Sequence, residues 1–276
     1  MDLRETLEIM RYRHVIVLLS YALGAFALTS GELSSIRLLE ILFGGFCLFA
    51  STYGYNYITD IEEDTLNKRP NPLSFINKNV YIRILLIFAV LGLLISYVIG
   101  TFTLVLAIII LIVGYSYSHG RIRFKRYGWL KTIILTFSWF LMFIYLSSAF
   151  SNISTVKILL VAVFFSTLSL CGMILRDIPD IEGDRKAGIR TVPILMGVKN
   201  TGLLMLTITL FQYAMLFSLL VIKSIPPLYL SLIVVLPLRG YLSYAVIKED
   251  IKRAFLPSIL SYPLTGVMLL ISEAII

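Results

Sequence analysis

The stretch Asn56-Tyr57-Ile58-Thr59-Asp60-Ile61-Glu62-Glu63-Asp64 closes an apolar run that begins near residue 36. Four carboxylates at the lip of a segment oily enough to cross a bilayer say what the segment is and where chemistry lies. Charged groups beside a membrane span are expensive to desolvate, and their default reading is functional. A second such stretch, Asp177-Ile178-Pro179-Asp180-Ile181-Glu182-Gly183-Asp184, closes another apolar run at residues 155–176. Together the two hold eight of the sixteen Asp and Glu residues.

The rest of the chain is read from that pattern. It is 58% hydrophobic and 14% charged, with a mean hydropathy of +0.90. Soluble globular chains are about 25% charged, so an ordinary soluble domain is excluded. Nine apolar runs are predicted to span the membrane: 14–31, 36–58, 81–99, 101–118, 129–150, 155–176, 201–222, 226–247 and 255–274. The expected fold is all-α, a polytopic membrane bundle of about nine transmembrane helices. Met1-Asp2-Leu3-Arg4-Glu5 lacks the basic start of a signal peptide, so the first run is read as a span of the mature protein. Cys47 and Cys171 fall inside spans and read as small packing residues.

Charge alternates between loops. The segments before the first span and after the second, fourth, sixth and eighth carry 20 of the 24 Lys and Arg residues. The other side has Arg37, Lys157 and Lys223, and Arg239 falls within a span. The positive-inside rule then places the N-terminus and both acidic stretches in the cytoplasm of an integral cell-membrane protein, with the C-terminus outside. The net charge of +8 follows from topology and anionic ligands, without nucleic acid. No linker divides residues 1–276, so one domain is expected. The acidic stretches lie four spans apart, which suggests an internal duplication of spans 1–4 and 5–8.

Asn56, Asp60 and Asp64 recur every four residues and would share one helical face, as would Asp180 and Asp184, with Asp177 three residues earlier. Facing one another unpaired, such carboxylates repel. Hard oxygen ligands in two groups suit Mg²⁺ ions that carry a diphosphate. Bound so, the ions would stabilise charge developing on a leaving diphosphate, and an isoprenyl diphosphate is the expected donor. The plainer alternative for either stretch alone is a solvated loop salt-bridged to neighbouring Lys and Arg.

Asn-x-x-x-Asp-x-x-x-Asp after span two and Asp-x-x-x-Asp after span six resemble the UbiA superfamily of intramembrane prenyltransferases. So do Asn67-Lys68-Arg69-Pro70, Tyr117-Ser118-His119-Gly120-Arg121-Ile122-Arg123-Phe124-Lys125 and Asp177–Ile189. The likeness covers most of residues 10–200. His119-Gly120-Arg121 stands where the family usually has x-Pro-Pro, and Pro70-Asn71-Pro72-Leu73 lacks a glycine common there. The resemblance implies a membrane enzyme that moves an isoprenyl group from its diphosphate to a hydrophobic acceptor with Mg²⁺. Carried over by position, Asn56, Asp60, Asp64, Asp180 and Asp184 would hold Mg²⁺–diphosphate with support from Asp177. Arg69, Lys125 and Lys186 would touch the diphosphate.

The resemblance also implies a bundle around a central cavity. Tyr115, Tyr117 and Tyr145 are candidates to line it, where ring faces steady an allylic cation, and core packing is the plainer reading of each. An aromatic quinone precursor is the favoured acceptor, with geranylgeranyl transfer to a glycerol-phosphate ether lipid as the alternative. From another class, a divalent-cation transporter would also carry membrane-embedded acids. Here, however, the acids gather at one face.

Overall fold

The computed structural model describes residues 12–29, 35–66, 70–120, 124, 127–150, 154–186, 188–223 and 225–275. Hydrocarbon offers no water to backbone N–H and C=O groups, so long apolar runs satisfy them within helices. The chain accordingly winds into α1 (Tyr12–Ala27), α2 (Ser35–Thr59), the short α3 (Ile61–Leu66), α4 (Lys78–Ile99), α5 (Thr101–Ser118) and α6 (Gly128–Ser147). It continues as α7 (Thr155–Asp177), the short α8 (Ile181–Lys186) and α9 (Val192–Met196), α10 (Val198–Val221), α11 (Leu236–Ile247) and α12 (Ile251–Ile275). Among the described residues there is no strand.

Eight segments among the described residues are long and apolar enough to cross a bilayer. The expected first span is present as α1, whose 16 residues rise about 24 Å. The eighth span departs from a plain α-helix, because Pro227–Val235 is a 3₁₀ stretch feeding α11. Pro237 at the start of α11 has no N–H to give, and its ring crowds the carbonyl one turn earlier. Regular α-helical bonding therefore cannot run through that point.

Consecutive spans are neighbours around a ring. α1 packs on α2, α2 on α4, α4 on α5, α5 on α6 and α6 on α7. α7 then meets α10, α10 meets α11, α11 meets α12, and α12 closes on α1. The centre is filled by aromatic rings: Tyr21 lies 4.7 Å from Phe165 and 5.0 Å from Trp139, and Phe143 stacks on Phe165 at 5.6 Å.

The start of α1 lies at the acidic end of the bundle, since the His14 ring sits 5.0 Å from Tyr53, one turn before Asn56. At the opposite end Lys157, beginning α7, donates to both carboxylate oxygens of Glu273 near the end of α12, at 2.8 Å each. Tyr229 Oη adds a hydrogen bond to the same carboxylate at 2.6 Å. One of the few cations expected on that face is thus neutralised, and a buried Glu is satisfied.

Near the acidic end α5 approaches α2 closely. A Cβ at Gly114 would meet Thr52 Cγ2 at 2.5 Å, so glycine is what allows these helices to touch. That contact lies one helical turn below the polar residues described next.

Candidate active site

The two acidic stretches fold alike. α2 ends at Thr59, Asp60 interrupts it and α3 resumes at Ile61. Backbone bonds bridge the gap, with Asp60 N–H donating to Asn56 O (2.8 Å) and Asp64 N–H to Asp60 O (2.7 Å). In the second stretch α7 ends at Asp177, and Asp184 N–H donates to Asp180 O (2.8 Å) as α8 begins. The four-residue step therefore carries a helical bond in both places, leaving each Asp pair on one face. α3 and α8 pack together, which brings the two stretches to a common site. Asn56, Asp64, Asp177 and Asp184 are buried, while Asp60 and Asp180 are half-buried.

Neighbouring side chains hold these groups in place. Ser118 Oγ, ending α5, donates to Asn56 Oδ1 at 2.6 Å. Thr59 Oγ1 donates to Asp60 Oδ1 at 2.7 Å. Asn71 Nδ2 donates to Asp64 Oδ2 (2.9 Å) and to Tyr57 O (3.0 Å), while Asn71 Oδ1 accepts from Leu73 N–H (3.0 Å). All of one side-chain amide is thus spent fixing Asp64 to the loop behind it. Lys131, in the first turn of α6, donates to Asp177 Oδ1 at 2.7 Å and lies within electrostatic reach of Asp184 and Tyr117. Asp177 Oδ2 is buried and makes no hydrogen bond among the described residues. Behind Lys131, Gly128 admits the Arg190 carbonyl, whose oxygen would stand 1.6 Å from a Cβ there. The segment after α8 is thereby pressed onto the start of α6.

Below this polar layer lies a small, partly open cavity between α2, α5 and α6. Asn56 and Tyr117 stand at its acidic end, and Phe49, Tyr53, Ile110, Leu135, Trp139 and Met142 make most of its wall. An apolar chain attached to a group held at the carboxylates would enter here.

Of the three tyrosines expected along the cavity, Tyr117 lines it. Tyr115 is two residues away, about 200° around the helix, and faces elsewhere. Its hydroxyl meets Ser51 Oγ at 2.6 Å, and its ring lies edge-on to Tyr55 at 5.1 Å. Tyr145 lies near the far end of α6, about 25 Å of helical rise from Gly128, and bonds Ser96 Oγ at 3.0 Å. Membership of an aromatic-rich span says nothing about depth or facing, which is why sequence reading grouped the three. Arg69 and Lys125 lie outside the described residues. Lys186 is exposed at the end of α8.

Sequence reading passed over Asn71 and Lys131. Asn71 had a signal, because an Asn between two prolines is a ready side-chain cap where backbone donors are missing. Lys131 was counted with the loop cations, although its place after Trp129-Leu130 already set it inside the span.

The donor set around this site is all oxygen, with no Cys or His in the motifs. Among the described residues no three Asp, Glu, His or Cys side chains converge closely enough to hold an ion unaided. An ion here would need phosphate oxygens and water to complete its shell, a mixed shell that Mg²⁺ accepts. The orphaned, buried Asp177 Oδ2 is a further acceptor awaiting a cationic or donor partner.

Comparison with known proteins gives the family and the fold. The sequence pattern of the UbiA prenyltransferase family matches residues 17–256. A digeranylgeranylglyceryl phosphate synthase of Sulfolobus acidocaldarius is 29% identical over 206 residues, 73% of this chain and 72% of the relative. The chloroplastic 2-acyl-4-prenylphloroglucinol 6-prenyltransferase of Humulus lupulus is 28% identical over 193 residues, 64% of this chain and 47% of that protein. A UbiA homologue from Archaeoglobus fulgidus, solved with GPP and Mg²⁺, superposes with a TM-score of 0.71 at 17% identity, covering 98% of each chain.

Proposed function

The chain belongs to the UbiA prenyltransferase family, and from that premise we propose that its acidic end binds an isoprenyl diphosphate with Mg²⁺ and delivers the isoprenyl group to a lipophilic acceptor. Family membership makes it a membrane prenyltransferase and sets aside the transporter reading. The observation that carries the site assignment is the packing of α3 on α8, which joins two Asp pairs above an apolar cavity.

In this reading Asn56, Asp60, Asp64, Asp180 and Asp184 hold the ions, with Asp177 in support. Bound Mg²⁺ would supply the positive charge that lets diphosphate leave. The chain's own residues do the rest. Asn71, Ser118 and Lys131 fix the carboxylate layer before substrate arrives, so that little reorganisation is needed. The cavity between α2, α5 and α6 takes the apolar tail, and its ring-lined wall keeps water from the allylic carbon. Tyr117, at the acidic end of this cavity, would offer a ring to the positive charge that develops after the C1–O bond breaks, and Trp139 lines the wall farther along. A new bond then forms between C1 and the acceptor, which loses a proton to the departed diphosphate or to solvent. Lys186, Arg69 and Lys125 are proposed contacts of the diphosphate.

The relatives include enzymes named for a glyceryl phosphate lipid and for an aromatic phloroglucinol. Both acceptor classes therefore remain within the proposal. The bias of basic loops puts the acidic end in the cytoplasm, and we read the chain as one catalytic domain.

The test is turnover by Asp60→Ala and Asp180→Ala in purified protein, with geranylgeranyl diphosphate as donor and acceptors of both classes. Each variant should stay folded and lose at least a thousandfold in rate. Rates near wild type in both would overturn the assignment.

A further inference from the structure

A second small, partly open cavity lies between α1, α7 and α12. Its polar wall is made by His14, Ser169, Arg176, Ser258 and Tyr262, and Trp139 is common to it and to the tail cavity. Resting on the function proposed above, we propose that this cavity holds an anionic headgroup of the acceptor, a phosphate or carboxylate, gripped by Arg176.

Arg176 precedes Asp177, so it would be natural to assign it to the diphosphate. The geometry points the other way. Successive helical residues are turned by about 100°, and the two side chains diverge: Asp177 reaches Lys131 on α6, whereas Arg176 donates to His14 Nε2 on α1. A guanidinium carries five N–H donors, and one bond to an imidazole leaves the others for the cavity. Its planar fork matches the paired oxygens of phosphate or carboxylate.

The charge balance agrees. None of the residues lining this cavity is an Asp or Glu. On α11, outside the cavity wall, Arg239 is 0% exposed and interacts with the Cys171 thiol, with no oxygen or nitrogen acceptor within hydrogen-bond geometry of its three nitrogens among the described residues. Tyr262, on the cavity wall, lies within electrostatic reach of both arginines. Arg176 is the one Lys, Arg, Asp or Glu on the described wall. Positive charge at the end of a span is costly, and an anion seated against it offsets that cost. The shared Trp139 also gives the arrangement its use. A headgroup held here sets the body of the acceptor against the same ring that borders the donor's tail.

The experiment uses the full chain in nanodiscs of zwitterionic lipid and two matched pairs of probes. One pair is geranylgeranylglyceryl phosphate and its dephosphorylated alcohol; the other is homogentisate and 2-methylhydroquinone, its decarboxylated counterpart. Binding of geranylgeranyl diphosphate with Mg²⁺ is measured alongside. The wild type should bind the charged member of at least one pair tenfold more tightly than the neutral one, and which pair responds tells phosphate from carboxylate. Arg176→Gln should erase that preference while donor affinity stays within threefold. Arg176→Lys, which keeps the charge but loses the fork, should retain part of it. Equal binding of charged and neutral members by the wild type would overturn the proposal. So would a preference that survives Arg176→Gln, or a parallel loss of donor affinity, which would assign Arg176 to the diphosphate. Absence of Mg²⁺-dependent donor binding in the wild type would instead count against the underlying function.

Discussion

Lys131 Nζ stands 2.7 Å from Asp177 Oδ1, tying the first turn of α6 to the last residue of α7. The side chains are 17% and 8% exposed, so this cation and carboxylate are largely withdrawn from water. The bond orients the carboxylate that opens the second acidic stretch and leaves its other oxygen buried and unspent.

Removing one member of such a pair strands the other. Lys131→Met should destabilise the protein by about 3–5 kcal/mol, read as a lowered unfolding temperature in detergent. Lys131→Met with Asp177→Leu should recover most of the stability yet remain poorly active. Full recovery of both would make the pair purely structural.

Asn71 acts through Asp64. Asn71→Ala should reduce turnover about 10- to 100-fold, as expected when a group orienting a metal-binding carboxylate is lost, with little change in stability. The check is the Mg²⁺ concentration needed for half-maximal rate, which should rise. Asn71→Asp would add a like charge beside Asp64 and should be worse than Ala.

Gly128 is required by backbone contact, because a Cβ there would overlap the Arg190 carbonyl. Gly128→Ala cannot be absorbed by a rotamer change, so the segment after α8 must shift. A loss of about 1–3 kcal/mol in stability is expected, together with lower activity at saturating Mg²⁺.

Glu273→Gln separates stability from chemistry. It breaks the Lys157 pair at the end of the bundle away from the acidic stretches, and should cost stability on the scale of a broken buried pair, about 3–5 kcal/mol. The KM for donor should not move. A changed KM would show that the far end communicates with the site.

Much of this arrangement was legible in residue order. Apolar runs long enough to cross a bilayer leave the backbone little choice but helix, and the four-residue steps of Asn56, Asp60, Asp64 and of Asp180, Asp184 foretold shared faces. What spacing could not supply was facing between helices. Tyr115 and Tyr117 look equivalent in sequence, yet only the rotation of α5 against α2, set at Gly114, decides which meets the cavity. Lys131 and Asp177 are 46 positions apart, and nothing local to either announces the other. In sequence Arg176 looks like one more cation beside an acidic stretch, because its partner, His14, is 162 positions away. The 3₁₀ stretch before α11 is a departure from the plain span expected at 226–247, and Pro226, Pro227 and Pro237 are its local cause.

The most direct measurement is binding of radiolabelled isoprenyl diphosphates of five to twenty carbons to purified protein, with Mg²⁺ or with EDTA. Saturable binding that requires Mg²⁺, is lost in Asp60→Ala and Asp180→Ala, and strengthens with tail length is the predicted result. Binding that persists in EDTA, or none at any length in folded protein, would contradict the claim that two joined Asp pairs hold a diphosphate above an apolar cavity.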